Sequence, residues 1–492
     1  MTVSEVFAGV SLRASLPPDL ALSTVTGLEY DSRRIGPGNL FFAFEGQHAD
    51  GRRFAADAVA RGAITVVSQS PRPADFSGNW IEVKHGRRAL ALAARNFYGK
   101  PDERVRVTGI TGTNGKTTTA YLVDAVLRAA NQTTALVGTI EYHLGSRILP
   151  AVNTTPESLD LIRILSELES VGGSHATMEV SSHALALGRV YGLHFHTAIF
   201  TNLTRDHLDF HSTMEEYFAA KRMLFEGAGA PPPRFTVLNR DDEYAGRIPS
   251  NSGTEVLWYG LGSEAAVRAC SVSSTIQGLR FEVEYGQTRF PIESALMGRI
   301  NVYNILAACS AGFSFGLSPE TIANGIAACR AVPGRFERVD EGQPFAVIVD
   351  YAHTDDALRN TIGIARELTP NRVITLFGCG GDRDRSKRPL MGQAAAEKSD
   401  FVVLTSDNPR SEDPLDILND ALVGLRRYDT PHLIEPDRAT AIQRAIERAQ
   451  PGDVVILAGK GHENYQVLKD RTIPFDDREV ARKLLRSFGY RK

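Results

Sequence analysis

The residues best suited to chemistry form one run, Gly112-Thr113-Asn114-Gly115-Lys116-Thr117-Thr118. A glycine-rich turn aims successive backbone N–H groups inward, which suits a polyphosphate, while Lys116 adds positive charge and Thr117 can ligate magnesium. All seven residues, Gly112, Thr113, Asn114, Gly115, Lys116, Thr117 and Thr118, are read as ATP-binding. The run departs from the general phosphate-loop pattern, which wants a glycine at the place of Ile110; here the glycines are Gly109 and Gly112. A dinucleotide site would need G-x-G-x-x-G and a later acidic residue, and neither this run nor Gly378-Cys379-Gly380-Gly381 supplies it. An oxidoreductase is therefore a distant second class.

Two other positions stand out by their frame. An apolar stretch ends in Met178-Glu179-Val180-Ser181-Ser182-His183, which sets a carboxylate at a strand tip. Ser212-Thr213-Met214-Glu215 has the form of a capping box and predicts a helix start. In that helix Tyr217, Phe218, Leu224 and Phe225 make the apolar stripe, and Lys221 lies in its middle, pointing inward. Such a lysine either snorkels or pairs with a carboxylate.

Positioning these residues requires several α/β units. The phosphate run follows an expected strand, Val105 to Ile110, and opens a helix in which Leu122, Val123, Val126 and Leu127 recur at helical spacing. Before it, short apolar runs such as 40–44 and 63–67 predict a small α/β unit. After Ala331-Val332-Pro333-Gly334, apolar strands at 346–349, 373–377, 401–404 and 454–457 alternate with helical segments, as in a doubly wound α/β domain. Each runs into a polar cluster, where open parallel sheets bind ligands: Asp350-Tyr351-Ala352-His353, Gly380-Gly381-Asp382-Arg383, Asp407-Asn408-Pro409-Arg410 and Gly459-Lys460-Gly461-His462-Glu463. The expected division is 1–101, 102–332 and 333–492.

Bulk properties exclude other classes. At 492 residues, 42% hydrophobic and 23% charged, the composition is that of a folded chain of several domains. A formal charge of -3 provides no basic field for nucleic acid or an anionic membrane. Cys270, Cys309, Cys329 and Cys379 lack C-x-x-C spacing, which argues against a disulfide framework or thiolate metal site. The opening MTVSEVFAGVSLRASLPPDLALS shows no leader pattern, and no stretch approaches a membrane span, so a cytoplasmic location is expected.

In its GTNGKT form the phosphate run resembles the Mur ligase family and its folylpolyglutamate synthase relatives. The resemblance implies a small N-terminal uridine-binding α/β domain, a central P-loop-type ATPase domain and a C-terminal Rossmann-like domain. It also implies two Mg²⁺ ions held by Thr117, Glu179, His207 and Lys221. His207 is carried over from Asn202-Leu203-Thr204-Arg205-Asp206-His207-Leu208-Asp209, and Lys221 matches a lysine that several members carbamylate with CO₂. Lys116, Glu179, His207 and Lys221 form the expected catalytic set. Gly298-Arg299-Ile300-Asn301-Val302-Tyr303-Asn304 resembles the family's G-x-x-N-x-x-N segment and assigns Asn301 to the nucleotide. Arg335, Asp350 and His353 fall in segments that close over ATP, although Asp355 replaces a proline common there. A closure of the C-terminal domain on ligand binding is expected.

For substrates, Tyr30-Asp31-Ser32-Arg33 and Gly46-Gln47-His48-Ala49-Asp50-Gly51 resemble the uridine-binding segments, with Ser32, Gln47, His48 and Ala49 as contacts. Asn153, Thr154 and Thr155 precede Pro156; a helix cap at Thr155 explains them structurally, and the family uses such threonines for the muramoyl peptide. Ser181 and Arg189 match further positions, and Leu187 stands where some members have Gln. Asp407-Asn408-Pro409-Arg410 resembles the selectivity motif of the family's diaminopimelate-adding members, with Arg383, Gly459 and Glu463 completing that site. The implied partners are UDP-N-acetylmuramoyl-L-alanyl-D-glutamate and meso-2,6-diaminopimelate. The implied reaction is ATP-dependent amide formation through an acyl phosphate. A lysine-adding ligase, a folylpolyglutamate-type ligase and a catalytically silent nucleotide-binding regulator are the rivals.

Overall fold

A computed structural model describes residues 1–46 and 50–491. Gln47, His48 and Ala49 lie outside the described residues.

Three principal sheets organise the described chain. Near the N-terminus Gly27–Glu29, Asn39–Phe42, Thr65–Ser68 and Trp80–Glu82 pair in parallel, in that spatial order. Leu40 and Phe42 face one apolar cluster and Phe41 another, as the two-residue period of a strand dictates. This sheet is tied to the next unit through the helix Ser158–Ser170. Arg163 donates to Glu29 at 2.6 Å and the Tyr30 hydroxyl to Asp160 at 2.5 Å.

At the centre is an eleven-stranded sheet. Its parallel core runs Phe235–Asn239, Thr197–Phe200, Arg106–Thr111, His175–Glu179 and Thr134–Val137. The strand Arg106–Thr111 is buried at every residue but its first, and it ends on the phosphate run. Lys116–Ala129 is the following helix, packed against Arg299–Ser314 and Pro319–Ala328. A three-stranded antiparallel extension, Val267–Thr275, Gly278–Tyr285 and Thr288–Ser294, closes one side of the sheet.

The last unit is a six-stranded sheet in the order Glu337–Val339, Ala346–Asp350, Val454–Ala458, Val373–Phe377, Phe401–Leu404 and His432–Ile434. All its pairings are parallel except the first, and helices cover both faces. The α/β class and the doubly wound reading agree with these sheets. No described helix is long and apolar enough to cross a membrane.

Two local expectations need correction. The helix Met214–Arg222 is capped by Thr213, whose hydroxyl accepts from Glu216 N, and Ser212 sits at φ 57 outside it. The cap is therefore displaced by one residue, without the reciprocal glutamate bond of a capping box, and Lys221 still faces inward. Thr155 caps no helix: Glu157 is the N-cap of Ser158–Ser170, and the Thr155 hydroxyl donates to Glu179 O at 2.9 Å.

Candidate nucleotide and amino-acid sites

The tip of the strand Arg106–Thr111 explains why the glycine pattern is shifted. Ile110 is fully buried in the strand, whereas a Cβ on Gly109 would sit 2.7 Å from the Phe195 ring. Gly112 has φ +147 and a Cβ there would fall 1.9 Å from the Thr201 hydroxyl; Gly115 has φ +89, with Asn304 Oδ1 2.4 Å from its missing Cβ. Only glycine fits both places.

Two residues from the neighbouring strand end clamp the loop. Asn114 N donates to Asn202 Oδ1 at 2.9 Å, and Asn114 O accepts from Asn202 Nδ2 at 3.0 Å and Thr201 Oγ1 at 2.7 Å. Lys116 Nζ donates to Gly112 O at 2.9 Å and Thr113 O at 2.8 Å. Lys221 Nζ donates to the same Gly112 O at 2.7 Å and lies over the Tyr217 ring at 4.5 Å. Among the described residues neither lysine forms an ion pair within 4.0 Å. Burial pushes both ammonium groups down, Lys221 well below the usual lysine range, and the positive charge of Lys116 lowers it further.

Thr117 and Glu179 meet at the helix start. The Thr117 hydroxyl donates to Glu179 Oε2 at 2.9 Å, and Glu179, 1% exposed, also accepts from Thr139 N at 2.8 Å and the Thr139 hydroxyl at 3.1 Å. The same network reaches Thr154, whose hydroxyl is 3.2 Å from that of Thr139, and Ser181, whose N–H donates to Thr155 Oγ1 at 3.1 Å. Arg189 donates to Thr155 O at 3.0 Å and to Glu157 at 3.1 Å, and Glu157 also receives Arg87 from the N-terminal unit at 3.3 Å. The backbone of Asn153 is fixed by the Tyr142 hydroxyl. Thr118 lies buried beside Thr117 at the helix start, and Ser32 opens a short turn on the N-terminal sheet.

His207 occupies a left-handed position, φ 54, at the start of the turn Leu208–His211. Its Nε2 is 3.4 Å from Asp206 Oδ2, its ring is 4.9 Å from that of His183, and desolvation pulls its imidazolium down to about 4. Neutral imidazole is the form that can ligate a metal.

The C-terminal sheet brings its own residues over the loop. Arg335 stacks on Tyr351 with 4.8 Å to the ring centroid and donates to the Thr117 hydroxyl at 3.2 Å. Asp356 accepts from Asn114 Nδ2 at 3.2 Å and from the Thr204 hydroxyl at 2.9 Å, while Lys387 is 3.5 Å from Asp206. Asp350 does not face the loop with its carboxylate, which accepts from Phe336 N, Ala352 N and the Thr361 hydroxyl; burial raises it above the usual carboxylate range. It holds the Arg335 turn in place. His353 is exposed, with Nδ1 2.8 Å from Tyr351 O. Asn301 donates to Met297 O at 2.7 Å and accepts from Asn304, so that Asn304 is the residue against the loop.

A second cluster lies at the carboxyl ends of the neighbouring strands of this sheet, the same end that carries Asp350 and Tyr351. Arg410, at φ 52, donates to Gly381 O at 2.6 Å, and its guanidinium and the Arg383 stem flank Gly380. Pro409 O packs against Gly381, where a Cβ would come within 1.9 Å. Asn408 Nδ2 donates to Glu463 Oε2 at 3.0 Å, and Gly459, at φ +112, brings its backbone against Asp407. Behind them the buried Arg388 joins Gly380 O, Glu412 and Asp420 and so ties the two arginine-bearing loops together.

Sequence reasoning passed over Thr139, Thr201, Asn202, Asn304, Asp356 and Arg388. Asn202 had a legible signal, an amide just past an apolar strand run, and Asn304 closes the G-x-x-N-x-x-N segment; Thr139, Thr201, Asp356 and Arg388 carried none.

A phosphate loop on one α/β sheet, roofed by an arginine from a second sheet that carries an ion-lined pocket of its own, defines a nucleotide-dependent ligase of three α/β units. Comparison with known families agrees: residues 24–98 match the Mur ligase family catalytic domain, 110–312 the Mur ligase middle domain, and 334–461 the Mur ligase glutamate ligase domain. The chain belongs to the Mur ligase family, and it is an ATP-dependent amide-bond-forming ligase. It is 68% identical over 490 residues to the UDP-N-acetylmuramoyl-L-alanyl-D-glutamate--2,6-diaminopimelate ligase of Solibacter usitatus, covering 100% of this chain and 99% of that one. It is 47% identical to the enzyme of the same name from Geobacillus thermodenitrificans, covering 93% and 94%. A solved structure of a ligase with that name superposes with a TM-score of 0.71 at 32% identity, covering 99% of both chains.

Proposed function

We propose that this chain joins meso-2,6-diaminopimelate to the D-glutamate γ-carboxylate of UDP-N-acetylmuramoyl-L-alanyl-D-glutamate in the cytoplasm, with ATP as the energy source. The observation that carries the amino-acid assignment is the second cluster. The Arg410 guanidinium and the Arg383 stem lie beside Gly380, and a neighbouring strand end brings up the Glu463 carboxylate, held by Asn408. Diaminopimelate carries one more carboxylate than lysine, and a guanidinium binds a carboxylate through two parallel hydrogen bonds. Glu463 accepts the ammonium of the same end, with Asp407, Pro409 and Gly459 shaping the turn.

The γ-carboxylate of the dipeptide attacks the γ-phosphorus of ATP, the bond to the bridging oxygen breaks, and ADP leaves. The amine of diaminopimelate then attacks the acyl carbon, inorganic phosphate departs with the bonding pair, and the amine loses a proton. Lys116, the loop N–H groups and Arg335 stabilise the charge that builds on the transferring phosphoryl oxygens. Thr154, Thr155, Ser181 and Arg189 orient the muramoyl dipeptide beside Glu179; Asn153, Ser32, Gln47, His48 and Ala49 extend that site toward the uridine.

The donor set fits magnesium. Thr117 Oγ1 and Glu179 Oε2 are hard oxygen donors in contact at the helix start, and His207 with a carbamylated Lys221 would complete a second position. Bound there, magnesium offsets charge on the phosphate oxygens. Lys221 suits carbamylation because burial, and after it the charge of Lys116, disfavours its ammonium: the neutral amine adds to CO₂, a proton leaves, and an anion replaces a cation.

Phosphate release with the UDP-linked dipeptide and ATP, comparing meso-diaminopimelate with L-lysine, tests the reading. Strong preference for diaminopimelate is the expected result. Preference for L-lysine overturns the assignment of Arg383 and Arg410, and no turnover with either overturns the reaction.

A further inference from the structure

The amino-acid pocket contains a cation that the assignment above does not use. Lys460 is fully buried, and its Nζ donates to Asp407 Oδ1 at 3.2 Å, Asn408 Oδ1 at 3.1 Å and Glu463 Oε2 at 3.2 Å. Its three donors are thereby directed at three residues expected to surround the substrate, and no direction remains for a substrate atom. The bond to Asn408 Oδ1, reinforced by Val467 N at 2.9 Å, determines which way the Asn408 amide points, so that Nδ2 faces Glu463. Glu463 Oε2 thus accepts twice, and Oε1 accepts from none of the described residues.

The charges around this group count simply. Arg438 and Asp477, both fully buried, neutralise each other at 2.6 Å one layer deeper, and Arg438 also donates to Ser406 O and Ala458 O. Asp407 and Glu463 supply two negative charges and Lys460 one positive, which leaves one net negative charge on the pair; Asp407 Oδ2 and Glu463 Oε1 each accept from none of the described residues. One ammonium neutralises it.

Resting on the diaminopimelate reading, we propose that Lys460 is a positioning residue for amino-acid selection. It orients Asn408 and Glu463 and reduces a two-carboxylate pocket to a receptor for a single ammonium group, without touching the substrate itself. Burying two carboxylates without a cation is costly, and removing one member of a buried ionic set leaves its partners uncompensated. The cost is cancelled when a charge of each sign is removed together.

The test compares K460M with two double variants, measuring KM for meso-diaminopimelate beside KM for ATP and for the UDP-linked dipeptide. K460M is expected to raise KM for diaminopimelate on the order of 10- to 100-fold, as for loss of charged hydrogen bonds, with the other two KM values within about threefold. K460M/D407N restores one net negative charge on Glu463, though not the hydrogen bond that orients Asn408, and is expected to recover part of the loss, with KM at least about fivefold below that of K460M. K460M/E463Q restores the same net charge on the wrong residue and is expected to show no recovery. A merely structural lysine would not produce this asymmetry. If K460M does not fold, the two double variants still decide, because K460M/D407N is expected to show the lower KM for diaminopimelate of the two. Equal KM values in the two double variants, or an unchanged KM in K460M, overturn the proposal. A parent enzyme without preference for diaminopimelate over L-lysine overturns the underlying reading with it, an outcome visible before any variant is made.

Discussion

The nucleotide loop and the amino-acid pocket treat buried cations in opposite ways. Around the loop, Lys116 and Lys221 share one carbonyl oxygen, Gly112 O, and have no carboxylate in contact among the described residues. In the pocket, Lys460 meets two carboxylates, and Arg438 is matched by Asp477. An unpaired buried cation is unfavourable until an anion arrives, so the loop is arranged for charge that the ligands bring. The pocket instead carries its own counter-ions and leaves one charge over. The first arrangement suits a polyanion that comes and goes; the second suits discrimination between amino acids differing by one carboxylate.

The largest expected effect is on the paired side. Arg438→Met leaves Asp477 buried without a partner and is expected to lower unfolding free energy by about 3–5 kcal/mol, read as a fall in the denaturant midpoint. Next, Lys116→Met is expected to lower kcat/KM on the order of 10³-fold while leaving Tm unchanged or raised, since it removes a cation that crowds Lys221. A lowered Tm would break the comparison. Arg410→Lys keeps the charge but loses the planar fork; KM for diaminopimelate is expected to rise roughly 10-fold, about 1.4 kcal/mol, with KM for ATP unaffected. Equal rises in both would show that the turn, not the guanidinium, had failed.

The smallest effect concerns two histidines that burial keeps neutral. His175 and His196 lie at the opposite end of the central sheet, both within 4.9 Å of the Phe315 ring centroid, and burial holds each down to about 4. A histidine whose folded value is depressed binds fewer protons when folded. Its stabilisation is complete above the ordinary value of 6.5 and is lost as pH falls from there toward 4. The denaturant midpoint is therefore expected to drop between pH 7.5 and 5, and His196→Asn is expected to make that drop shallower. An unchanged slope in the variant would contradict the assignment.

Much of the candidate nucleotide loop's geometry was legible because its parts are contiguous. Gly112 to Thr118 specify a turn and a helix start within seven residues, and the apolar stripe around Lys221 points it inward whichever of Ser212 or Thr213 caps the helix. The displaced glycine could be noticed but not explained, since its reason is the Phe195 ring, 86 positions along the chain, beneath Gly109. Thr155 shows the opposite failure. Its local context, threonine before proline, reads as a cap, yet its hydroxyl serves the Glu179 carbonyl. Local propensity and tertiary hydrogen bonding compete for such side chains, and burial decided for the second.

By itself the sequence determined the α/β class, the phosphate loop, the inward lysine and the strand-end clusters, because each depends on periodicity or on neighbours within a few residues. Only the tertiary structure decided which clusters meet: Arg335 on Thr117, Asp356 on Asn114, and Lys460 among Asp407, Asn408 and Glu463. These contacts join residues separated by up to 242 positions, and their partners are selected by how the sheets stack and how buried charge is balanced, which no local pattern encodes.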